Sequence, residues 1–170
     1  MRILLTSFVL ISIVSSAAHG QNRRGLSAPP ALLEIIEPED RDCVVQAGRL
    51  EKSVTVQPIQ LAADHSLQLL VKGSGLCLCG AQNCQFWIYR KTGSKYELLL
   101  RGTGATKITT GNGSAKGYRD VISESHASAA ETILRTYRYD GSKYQPQQCV
   151  NRAYYDDNGK FTKKPTYRPC

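Results

Sequence analysis

The sequence predicts an all-β domain: a small antiparallel sandwich or barrel-like sheet built from two pseudo-repeated hairpin units, stapled by disulfides, with a short N-terminal helix. Three observations carry this expectation. Short β-type runs alternate with turn residues from Cys43 onward. A strand-turn-strand segment recurs at an offset of 48 residues. Six cysteines follow an export-type leader, and an even count in an oxidising compartment implies a disulfide framework. With 41% hydrophobic and 21% charged residues in 170, the chain can bury a core as one domain, and disorder, collagen and coiled coil fit this composition poorly.

Residues 1–20 read as a signal peptide. Arg2 supplies the positive start, Ile3 to Val14 form an apolar core, and small residues at Ala18 and Gly20 precede the expected cut. About 12 apolar residues are too few to span a bilayer, so no transmembrane segment is expected in the mature chain. The expected localisation is exported, periplasmic or secreted.

Residues 21–42 form a polar lead-in, in which Pro30 to Ile36 can make one or two helical turns with proline at the first helical position. The β-domain is expected over 43–149, with its repeated units at about 64–101 and 117–149. Ser53 to Gln57 alternates polar and apolar like a half-buried strand, and Leu67 to Val71 is a second strand.

Gln85 to Tyr96 aligns without gaps on Ile133 to Tyr144, with Tyr89, Arg90, Gly93, Ser94, Lys95 and Tyr96 matched by Tyr137, Arg138, Gly141, Ser142, Lys143 and Tyr144. Each copy reads as a hairpin, because Thr92-Gly93 and Asp140-Gly141 supply the φ > 0 residue of a tight turn. Trp87 and Tyr89 fall on one strand face, Phe86 and Ile88 on the other. Asn158-Gly159 marks a third hairpin turn. Ala127, Ala130, Leu134 and Tyr137 lie at helical spacing, but the repeat favours strand there. Gly102-Thr-Gly-Ala105 and Gly111-Asn-Gly-Ser114 read as flexible turns.

Cys77, Cys79 and Cys84 form a local thiol cluster. Zinc is the rival to disulfides there, but the usual C-x2-C spacing is absent and no metal or other cofactor is expected. Six cysteines allow 15 pairings. The expected set is Cys79 with Cys84 as a short loop staple, Cys149 with Cys170 closing the tail, and Cys43 with Cys77 tying the lead-in to the sheet.

The series Leu69 to Gly75, Cys79 to Trp87, Gly117 to Val121 and Tyr137 to Tyr144 resembles small exported bacterial proteins. It is also similar to the FG-GAP (VCBS-like) hairpin units of β-propellers. The resemblance covers residues 60–149 and implies a hairpin-built β fold. The acid-rich calcium loop of such units corresponds to Ala62 to Leu67, which has one acid, so calcium binding is not carried over.

No Gly-x-Ser-x-Gly elbow, His-Glu-x-x-His or P-loop is present. Two histidines remain after the leader, His65 and His126. His126 with Glu124, two apart on a strand, is the enzymatic alternative: a small secreted hydrolase of ribonuclease or cell-wall type using that pair for acid–base work.

Charge carries the leading expectation. The chain is +8, and removal of the leader with Arg2 leaves +7. Residues 150–170 form a basic, tyrosine-rich tail pinned by Cys170. Within it Lys160, Lys163, Lys164 and Arg168 lie near Tyr154, Tyr155, Phe161 and Tyr167. Basic and aromatic residues interleaved on a sheet suit a polyanion. The expected function is therefore a non-enzymatic exported binding domain for a protein partner or an anionic envelope polymer. Inhibitor or immunity-like roles are versions of it, and nucleic acid is expected only as a non-specific polyanion.

Overall fold

The computed structural model describes Pro29, Leu32, Ile36, Asp42 and residues 53–170 apart from 76 and 157. The expected signal peptide, most of the lead-in and Cys43 lie outside the described residues. The described chain is almost wholly β. The first sheet holds β1 (Val54–Ile59), β2 (Gln68–Gly73), β3 (Cys79–Gly80), β4 (Asn83–Thr92) and β5 (Lys95–Ala105). Its order is β1-β2-β4-β5, with the short β3 pairing the start of β4. The second sheet is a meander of β6 (Lys107–Ala115), β7 (Tyr118–Ser128), β8 (Glu131–Tyr139), β9 (Tyr144–Tyr155) and β10 (Phe161–Pro169). All strand pairings are antiparallel.

One residue carries the chain from sheet to sheet. Thr106, between β5 and β6, donates both its N–H (2.7 Å) and its hydroxyl (2.9 Å) to the Glu124 carbonyl of β7. A second tie lies nearby. The Asn83 side chain of β4 donates to the His126 carbonyl (2.8 Å) and accepts from the His126 N–H (2.9 Å). This amide substitutes for a neighbouring strand, satisfying both backbone groups of His126.

The alternation of β4 builds two apolar clusters, as its sequence predicts. Phe86 and Ile88 face the second sheet and pack with Leu70, Leu99, Val121, Tyr118, Tyr137, Tyr139 and Tyr144. Trp87 and Tyr89 face the other way, with Val54, Val56, Leu69, Val71 and Leu78. Leu32 and Ile36 of the lead-in cover that second cluster and are themselves buried. Leu32 has helical backbone, within the expected helical segment. The lead-in thus supplies core. Burying each side chain as large as Leu or Phe stabilises by about 1.5–3 kcal/mol relative to exposure.

A tyrosine group joins the sheets. Tyr118 and Tyr139 stack at 4.2 Å, and Tyr144 meets Tyr118 edge-on at 6.5 Å. Arg90 of β4 donates to the Tyr118 hydroxyl (3.2 Å) and to Glu97 (Nε, 3.1 Å). The bond to Glu97, then that to Tyr118, raises the Arg90 pKa further. Tyr144 donates to the Arg119 carbonyl (2.8 Å), and burial pushes its phenol above the ordinary value of 10.

Both aligned segments form hairpins with a two-residue Gly-Ser loop, closed by Thr92 opposite Lys95 and by Asp140 N–H to Lys143 O (2.9 Å). Gly93 (φ 61°) and Gly141 (φ 115°) take the left-handed first loop position that a type II′ turn requires. The two strands turn opposite faces inward, however. Phe86 and Ile88 pack between the sheets, while in the aligned strand it is Tyr137, equivalent to Tyr89, that does so.

Some expectations are corrected. Gly102 to Ala105 and Gly111 to Ser114 are strand, not flexible turns. A Cβ on Gly102 would run into the Phe86 ring, and one on Gly113 into the Asp120 carboxylate. These glycines make room for side chains distant in sequence. Asp120, itself buried, pairs with Arg138 at 2.8 Å. The residues at helical spacing are strand, as the repeat led one to expect: they form the β7–β8 hairpin, whose tip is Ala129-Ala130. The expected boundary between 149 and 150 falls inside β9, so the basic tail is the edge of the second sheet.

The disulfides Cys79–Cys84 and Cys149–Cys170 form as expected. Cys77 is also disulfide-bonded, but its expected partner Cys43 lies outside the described residues, and the described residues include no free cysteine. Cys79 and Cys84 are cross-strand neighbours closing a turn in which Ala81 (φ 45°) and Gln82 (φ 70°) are both left-handed. That conformation costs roughly 1–2 kcal/mol per residue with a Cβ, and the disulfide and the Asn83 bonds hold the turn. The disulfides fit an oxidising compartment, and no helix among the described residues is long and apolar enough to cross a membrane.

Candidate functional site

The basic tail folds into an exposed edge because its own turn brings it back along β9. Asn158 and Gly159 lie in the turn between β9 and β10, where Gly159 has φ 74°. The Asp156 carboxylate accepts from the N–H groups of Asn158 (3.0 Å) and Lys160 (2.9 Å), and Asp156 N–H donates to Lys160 O (2.9 Å). Such local side-chain bonds pre-form a turn.

The pairing of β10 with β9 is interrupted once. Phe161 opposes Tyr155 and Thr166 opposes Ala153, so Thr162, Lys163, Lys164 and Pro165 stand against Tyr154 alone. The surplus residues bulge outward and expose Lys163 and Lys164. The Thr162 hydroxyl donates to the Lys164 carbonyl (2.7 Å) inside the bulge. Beyond it, Thr166 to Pro169 rejoin the ladder against Val150 to Ala153. Cys170 N–H then donates to Cys149 O (3.2 Å), beside the disulfide that ends the chain.

This edge therefore combines charge with exposed rings. Among the described residues no ion pair engages Lys160, Lys163 or Lys164, and Arg168 is exposed near the far end. Phe161 is 65% exposed and Tyr167 61%, high for aromatic residues. Phe161 stacks on Tyr154 at 6.2 Å and 17°, with Tyr155 edge-on at 6.1 Å. All four predicted cations thus lie on or beside one edge, between the Asp156 turn and the Cys149–Cys170 bond.

The edge also carries features that resist strand addition: a bulge, lysines, and prolines at 165 and 169 that offer no N–H. These features leave side chains, rather than free backbone N–H and C=O groups, as what the edge presents.

The hydrolase pair is arranged differently. Glu124 and His126 share the outer face of β7, as two residues apart on a strand must. The Glu124 carboxylate, however, accepts from Arg152 of β9 at 2.8 Å. The His126 side chain is exposed, beside a shallow groove lined by Ala81, Gln82 and Ala127 to Ala129. Sequence reasoning missed both Arg152 as the partner of Glu124 and Asn83 as the partner of the His126 backbone. Neither leaves a local signal, since each contact spans 28 residues or more. Among the described residues no cluster of His, Cys, Asp and Glu could hold a metal ion.

No protein-family model, curated protein or solved structure matches this chain. The FG-GAP resemblance accordingly rests on the hairpin sequences alone.

Proposed function

We propose that the protein is an exported, non-enzymatic binding domain, periplasmic or secreted, whose β9–β10 edge holds an anionic polymer of the cell envelope. One observation carries this reading: four cations and two strongly exposed rings lie on an edge fixed by a turn at one end and a disulfide at the other. Charges on a loose tail disperse, whereas charges on a held edge engage an anion with less entropy lost. The disulfides support export, and the occupation of Glu124 by Arg152 argues against the hydrolase alternative.

The test is binding of the mature protein to immobilised heparin at low salt. Lys163→Ala with Lys164→Ala is compared with Lys91→Ala with Lys95→Ala, an exposed lysine pair at the β4–β5 turn. The reading expects the β10 pair to lose clearly more affinity. Equal losses would reduce the edge to ordinary surface charge.

A further inference from the structure

We infer that the β9–β10 edge reads planar rings as well as charge, so that, beyond the envelope polymer proposed above, it takes a single-stranded nucleic acid without regard to base sequence; this rests on the polyanion part of that reading. Of the four large hydrophobic side chains exposed among the described residues, three are Tyr155, Phe161 and Tyr167 of this edge. A fold that buries Trp87, Phe86 and Tyr89 completely leaves these rings in water.

Their geometry is that of an unfinished stack. The Phe161 ring is nearly parallel to that of Tyr154 and perpendicular to that of Tyr155. With 65% of the residue still accessible, a further planar ring can extend the stack. Tyr167 opposes Arg152 while Phe161 opposes Tyr155, three residues further along β9. The two rings are about 10 Å apart along the edge at about 3.4 Å per residue, and the odd offset of their partners places them on opposite faces of the sheet. Phe161 with Tyr154 therefore forms the platform, and a flexible strand reaches Tyr167 only by wrapping across the edge.

The bulge bearing Lys163 and Lys164 lies between the two rings, with Lys160 and Arg168 flanking them. Planar rings spaced along a polyanion are what a single strand offers, and every base has a π-face, so stacking tolerates any sequence. A duplex hides those faces, and a sulfated sugar presents C–H groups rather than a planar π-face to such a ring.

The experiment measures binding of three probes at one salt concentration: a short oligothymidylate, an abasic oligomer of the same length and charge, and heparin. The proteins are wild type, Phe161→Ala, and Lys163→Ala with Lys164→Ala. Phe161 is exposed, so its removal leaves the core intact, which Trp87 fluorescence verifies. Stacking of a single base corresponds to at least about a fivefold gain. The inference expects oligothymidylate to bind at least that much more tightly than the abasic oligomer, and Phe161→Ala to abolish the difference. The lysine variant should weaken all three probes.

Equal binding of the two oligomers would overturn ring recognition while leaving the polyanion reading intact. A preference that survives Phe161→Ala would overturn the assignment to this edge. Heparin binding with the same dependence on Phe161 would assign the rings to a sugar polymer instead. Binding to none of the probes would overturn the polyanion reading and the inference with it.

Discussion

Replacing Cys149 and Cys170 together by serine isolates what the terminal disulfide does, without leaving a free thiol. The bond joins residues 21 apart in sequence. By the chain-entropy relation a loop of that length restricts the unfolded ensemble by about 3 kcal/mol. For a domain of this size that corresponds to a fall in Tm of roughly 10 °C. The structure also says where the loss appears first. β10 is an edge strand, joined to β9 through Phe161 and the ladder from Thr166 to Pro169, and most of its side chains are exposed or half-exposed. β8, by contrast, is paired on both sides. Thermal unfolding by circular dichroism gives the global term, and amide exchange gives the local one. The double variant should lose protection in β10 before β8 and should bind heparin more weakly. A Tm within about 2 °C of wild type, with β10 amides protected as before, would refute the claim that the disulfide pins the tail.

Three further outcomes follow from the fold. Gly93→Val and Gly141→Val should each destabilise by about 1–3 kcal/mol in denaturant titrations; nothing lies within 4 Å of a Cβ at either position, so the cost is backbone strain alone, and wild-type stability in both variants would contradict the left-handed turns. Trp87 is fully buried, so its emission should be blue-shifted in the native protein and move red on unfolding. Tyr144 has a phenol raised by burial above 10, so its contribution to stability is fully present below the unfolded value and is lost as pH rises through the folded one; Tyr144→Phe should flatten that alkaline loss, and an unchanged alkaline profile would argue against it.

The parts of the fold legible in the sequence are those encoded locally. Thr92-Gly93, Asp140-Gly141 and Asn158-Gly159 announce turns because few residues tolerate the required φ. The alternation from Phe86 to Tyr89 gives two faces because strand geometry allows nothing else. Cys79 with Cys84, and Cys149 with Cys170, are each joined by a hairpin.

What the sequence conceals depends on contacts between distant segments. Gly102 and Gly113 look like flexible turn residues until Phe86 and Asp120 occupy the space above them. Leu32 and Ile36 read as a short helical segment, but nothing local says that they cover Trp87. The same division holds at the candidate site. The cations and rings of the tail are plain in the sequence, whereas the bulge depends on a register that only the β9 pairing sets. The engagement of Glu124 by Arg152 was hidden for the same reason.

The central claim is that the β10 cations contact a polyanion directly, and the salt dependence of heparin or oligonucleotide affinity tests it most closely. Each phosphate or sulfate contact releases counterions, and each contact on a single strand contributes about −0.7 to the slope of log K against log salt. Removing Lys163 and Lys164 should therefore make that slope shallower by about 1.4 on an oligonucleotide, while removing Lys91 and Lys95 leaves it unchanged. Identical slopes for both pairs would contradict the account.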